Sequence, residues 1–155
     1  LLTVDGGTVS PGHSAGTLSI DGDLLFKSGT LLSDIQGTRA GQFDVLNISG
    51  SATFEGGILA FSFGDFLPQR GNSWTFLKAE GGISFLEGLT TTFNFSNPET
   101  GRGYRFDLST IQNATEARLF VSAVPEPEIY AMMISGLALL GWHRRRRQRK
   151  NNTKG

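Results

Sequence analysis

Cysteine is absent from the 155 residues, which excludes disulfides, thiolate metal sites and cysteine nucleophiles and suits an exported chain that folds without oxidative help. Long apolar runs are also missing until residue 129, so little before that point favours a buried helix. A basic-then-apolar leader is missing too. The sequence opens at Leu1 inside a glycine-rich pattern, which reads as the C-terminal part of a longer precursor. What is abundant is glycine (21) and phenylalanine (12), with 38% hydrophobic residues overall. That balance is enough for one folded body and points to β-structure with many tight turns.

The formal net charge of zero conceals a division along the chain. Seven of the fourteen basic residues, Arg144, Arg145, Arg146, Arg147, Arg149, Lys150 and Lys154, follow the apolar segment. Residues 1–143 keep the other seven against all fourteen acids, 7 − 14 = −7. A body so acidic has no electrostatic attraction to nucleic acid, and no nucleic-acid partner is expected.

The segment Leu18–Ile35 can be laid on Leu46–Phe63 at an offset of 28 residues. Leu18/Leu46, Ile20/Ile48, Gly22/Gly50, Phe26/Phe54, Gly29/Gly57, Leu31/Leu59 and Ile35/Phe63 then agree in kind. Their apolar members mostly alternate with polar ones, the period of a strand with one buried face. Each copy reads as strand, glycine turn, strand. A unit so short cannot bury its apolar face alone, so neighbouring copies are expected to stack. The expected fold is therefore all-β, a parallel β-helix or solenoid-like body over 1–123, with a β-sandwich as the alternative because glycine turns such as Glu55-Gly56-Gly57 also serve hairpins. Trp74–Lys78, Phe93–Phe95, Tyr104–Leu108 and Ala117–Val121 read as further short strands, with Phe66–Ser73 as a loop and Glu80–Gly82 as a turn.

Residue-level candidates for chemistry are few. Gly12-His13-Ser14-Ala15-Gly16 satisfies G-x-S-x-G, but a nucleophile elbow needs a following helix, whereas Thr17–Ile20 has a strand pattern, and the one downstream histidine is His143. Asp21-Gly22-Asp23 places two carboxylates on a turn without a calcium-loop pattern around them. Phe61, Phe63, Trp74, Phe76, Phe93 and Phe95 sit at alternate positions and read as core rather than as a sugar-binding platform. Asn47, Asn94 and Asn113 head N-x-[ST] triplets, read as coincidence. No catalytic residue, cofactor or metal site is expected.

From Val124 the chain changes character. Val124-Pro125-Glu126-Pro127 occupies 124–128 with Glu128. An apolar segment then runs Ile129 to Trp142 through Met132, Met133, Ile134, Leu137, Leu139 and Leu140, followed by the arginine cluster Arg144–Arg147. This order resembles the PEP-CTERM sorting signal of bacterial exosortase substrates. The prolines bar a helix and hold the chain extended, as a processing enzyme needs its substrate. A transmembrane helix is expected over 129–143. The fourteen residues Ile129 to Trp142 would span only ~21 Å at about 1.5 Å per residue, against a hydrocarbon core of roughly 30 Å, so snorkelling and local thinning must make up the rest. The arginines place the basic tail 144–155 on the cytoplasmic side and the body outside.

The resemblance implies recognition through Val124, Pro125, Glu126 and Pro127, an exosortase partner and the inner membrane, and cleavage near the motif that frees the body for the cell surface or extracellular matrix. The body resembles the β-strand repeats of autotransporter passengers through Gly6–Ile20 and Asp44–Gly50, over roughly residues 4–85. This implies a scaffold, with exopolysaccharide as its contact. The overall expectation is an exported, non-enzymatic surface or matrix protein. The alternatives are the end of a β-helix polysaccharide-active enzyme or an uncleaved membrane-anchored protein.

Overall fold

A computed structural model describes residues 1–12 and 15–125. Eleven strands follow in order: β1 Leu2–Val9, β2 Thr17–Ile20, β3 Leu24–Asp34, β4 Val45–Ile48, β5 Ala52–Phe54, β6 Gly57–Gly64, β7 Ser73–Ala79, β8 Ile83–Phe85, β9 Leu89–Phe95, β10 Arg105–Ile111 and β11 Glu116–Ala123. A single 3₁₀ turn, Pro98–Gly101, interrupts them among the described residues. The body is all-β, as the composition predicts. The expected membrane helix over 129–143 lies outside the described residues, and among those described no helix is long and apolar enough to cross a membrane.

The strands form two sheets. One runs β8-β5-β3-β6-β9 with β1 also paired to β3, and the other runs β10-β11-β7-β4-β2. All pairings in the first sheet are parallel. In the second, β2-β4 and β4-β7 are parallel while β7-β11 and β10-β11 are antiparallel. The 28-residue repeat is the register itself: Leu18 pairs with Leu46, Ile20 with Ile48, Phe26 with Phe54 and Leu31 with Leu59. A third copy pairs on the second with Leu46 opposite Leu77, Ala52 opposite Ile83 and Phe61 opposite Phe93. The glycines of Glu55-Gly56-Gly57 do not close a hairpin. β5 and β6 both run parallel to β3, which passes unbroken along both.

Alternation places the core. Leu24, Phe26 and Leu31 of β3, Leu46 and Ile48 of β4, Phe54 of β5 and Leu59, Phe61 and Phe63 of β6 are buried in one cluster, and the strands nearly enclose it. Burying side chains of this size stabilises by about 1.5–3 kcal/mol each. Like residues stack from copy to copy: Phe26, Phe54 and Phe85 follow one another at ring-centroid spacings of 5.3 and 5.2 Å. In β7 the alternation breaks, since Phe76 and Leu77 are adjacent and both buried. The register to β11 explains it: Thr75 faces Arg118 and Leu77 faces Ala117, so Phe76 is the extra residue of a bulge that turns both side chains inward.

At the corners the copies approach too closely for side chains. A Cβ on Gly57, whose φ is +96°, would lie 2.6 Å from the Gly29 carbonyl oxygen and 2.9 Å from the Phe26 ring. Between β3 and β4 the chain makes an excursion, closed by an antiparallel bridge from Ile35 to Phe43. The fully buried Trp74 indole pins it by donating from Nε1 to the Gly37 carbonyl at 2.9 Å.

Candidate functional site

The acidic turn Asp21-Gly22-Asp23 is occupied with joining copies. Ser49 Oγ donates to Asp21 Oδ1 at 2.9 Å, and the Ser51 backbone N–H and hydroxyl both donate to Asp23 Oδ1 at 2.8 and 3.2 Å. These bonds from Ser51 hold the Asp23 carboxyl below the usual carboxylate range. The arrangement is a rung-to-rung tie, and no group of three or more potential metal ligands occurs among the described residues.

The G-x-S-x-G segment is similarly structural where it is described; His13 and Ser14 lie outside the described residues. Gly16 leads directly into strand β2, not into the helix an elbow needs. Its N–H donates to Asp44 Oδ1 at 2.6 Å, while the N–H of Asp34 donates to Asp44 Oδ2 at 2.9 Å. Asp44, fully buried, thus ties the entry of β2 to the end of β3 across the excursion. Sequence reasoning gave Asp44 no role, because a single acid ahead of a strand has no signature. Asp34, beside it, has its carboxyl pushed above the usual range, first by desolvation and then by the Asp44 charge.

Of the aromatic candidates, Phe61, Phe63, Trp74 and Phe76 are buried. Phe93 and Phe95 are half-buried, with their faces taken by neighbours: Phe93 stacks on Phe106 at 4.4 Å, Phe95 on Phe63 at 4.9 Å and on Tyr104 at 5.3 Å. The rings stack on one another, and Phe93, Phe95, Tyr104 and Phe106 also line a pocket of about 410 Å³.

The outer face of the second sheet carries a polar groove of about 790 Å³. Ser19, Asn47, Lys78 and Glu116 follow one another in register across β2, β4, β7 and β11, and Asp21, Ser49 and Glu80 flank them. Asn47 Oδ1 is shielded from solvent and accepts no hydrogen bond among the described residues. The groove offers groups of both charges, Lys78 with Asp21, Glu80 and Glu116.

Of the sorting-motif residues, Val124 and Pro125 are described. β11 ends at Ala123, and Val124 packs half-buried against the hydrophobic cluster. The motif therefore starts one residue beyond the last strand. Glu126 and Pro127, the apolar residues Ile129 to Trp142 and the cluster Arg144–Arg147 lie outside the described residues.

Comparison with known proteins yields one finding, and it falls on this tail. Residues 123–147 match the family model described as the PEP-CTERM protein-sorting motif. No curated protein and no solved structure matches the chain.

Proposed function

We propose that the chain is an exosortase substrate whose β body is delivered to the outer surface or the extracellular matrix once its C-terminal signal has been handled at the inner membrane. The observation that carries this reading is the match of 123–147 to the PEP-CTERM sorting motif. All three parts of the signal stand in order: Pro125-Glu126-Pro127, the apolar segment Ile129–Trp142 and the arginines Arg144–Arg147. In this reading the arginines stay cytoplasmic, the apolar segment sits in the membrane, and the extended motif meets the enzyme on the outer side. Cleavage of a peptide bond near the motif then separates the acidic body from its basic tail.

The body is a short parallel β-solenoid in this reading. The support is the parallel stacking of three successive copies in register, finished by the antiparallel β10–β11 pair. It acts as a scaffold in this reading, supported by the Asp21 and Asp23 carboxylates, which are engaged by Ser49 and Ser51 of the next copy. Exopolysaccharide is the partner class suited to the polar groove along Ser19, Asn47, Lys78 and Glu116, and autotransporter passengers are the repeat type it resembles. Replacing Pro125, Glu126 and Pro127 together by alanine in the full chain is expected to leave the body folded and stop processing. The check is an immunoblot of the exosortase-bearing host. Processing at the original rate would remove the motif from the account.

A further inference from the structure

The end of the body is held unevenly. As far as Val121, strand β11 is locked on both sides, since it pairs with β7 through Phe120 opposite Ser73 and the Val121 N–H donates to the Asn72 carbonyl at 3.0 Å. Val121 itself is 3% exposed. Beyond it, the remaining pair in register is Ala123 with Arg105 of β10, reached across a bulge that leaves Ser122 unmatched. Val124 then lies against the core, and Pro125 follows with no linker.

A membrane enzyme that takes an extended substrate needs free backbone on both sides of the motif. On its upstream side Ala123 is paired to Arg105 of β10 and Val124 packs against the core, directly ahead of Pro125. We propose that the folded body gates its own processing: Ser122, Ala123 and Val124 must peel from β10 and from the core before the motif can be engaged, and Val121 marks where peeling stops. Local opening of a strand end is far easier than global unfolding, so the gate slows processing without demanding an unfolded body. This inference rests on the exosortase reading above.

Two variants of the full chain, expressed with the exosortase and followed by pulse-chase, test it. Inserting six glycine and serine residues between Val124 and Pro125 is expected to speed processing at least three-fold, with the body undisturbed. The pair Arg105→Cys and Ala123→Cys joins residues opposite each other in an antiparallel register, whose Cα separation of roughly 4.5–5.5 Å suits a disulfide. Stapled, the strand end cannot peel, and processing is expected to fall at least ten-fold and to recover on adding reductant. Insertion and staple variants both processed at the wild-type rate would overturn the gate while leaving the sorting reading intact. A wild-type chain that is not processed at all would overturn the sorting reading and the gate with it.

Discussion

Asp44 is a single acid with two backbone donors at its oxygens, from Gly16 and Asp34, and no exposure to water. Leaving such donors without an acceptor costs about 1–3 kcal/mol each. Asp44→Ala is therefore expected to lower stability by about 2–4 kcal/mol, read from urea denaturation, with Asp44→Asn, which keeps one acceptor oxygen, in between. Its neighbour Asp34 has the opposite sign. A carboxyl whose folded pKa is raised destabilises the fold while it is charged, and the penalty disappears once pH falls below the ordinary value of 3.8. Asp34→Asn should thus raise the urea midpoint at pH 7, and the advantage should shrink toward zero near pH 3. Asp23 runs the other way. Its lowered carboxyl contributes stability above pH 3.8 that is lost as pH falls through its folded value, so Ser51→Ala, which removes one donor, is expected to narrow that acid-dependent loss. None of these three roles was legible in advance, because each depends on which backbone groups the stacking brings alongside.

At the scale of the element, the stacked corners make a sharper claim. Gly57 and Gly71 both have positive φ, +96° and +89°, but a Cβ on Gly71 would meet nothing within 4 Å while one on Gly57 would strike the backbone of the neighbouring copy. Gly71→Ala is expected to cost about 1 kcal/mol from backbone strain alone, and Gly57→Ala about 3 kcal/mol or more once overpacking is added. Equal losses in thermal denaturation would contradict stacking at this corner. Phe54→Ala, which breaks the ladder between Phe26 and Phe85, should cost about 3–5 kcal/mol. Here the sequence was informative: where two copies share a spacing, side chains that pair in space also align in the text, as Leu18 with Leu46 and Phe26 with Phe54. The third copy escaped notice because its offset lengthens from 28 to 31 residues at Leu46 opposite Leu77 and 32 at Phe61 opposite Phe93. Strand β1 escaped for the same reason, with Leu2 opposite Leu24 only 22 residues on. The bulge at Phe76 also had no signal, since adjacent apolar residues read equally well as a lapse in alternation.

For the whole molecule, the sorting motif and the folded body sit on different parts of the chain and were legible to different degrees. The tail declares itself through residue order alone: two prolines around an acid, an apolar segment, then arginines. Its physics needs no tertiary context. The groove along Ser19, Asn47, Lys78 and Glu116 was invisible beforehand, because it is assembled by four strands that are far apart in sequence. The body contributes mass, negative charge and a stacked core, and the account makes it cargo. The most direct test is the intact mass of the exported protein from paired hosts, one carrying the exosortase and one lacking it. The account predicts that the exosortase host yields a body without Arg144–Lys150 while the other retains them. Identical masses that include those residues would contradict it and leave an uncleaved anchor.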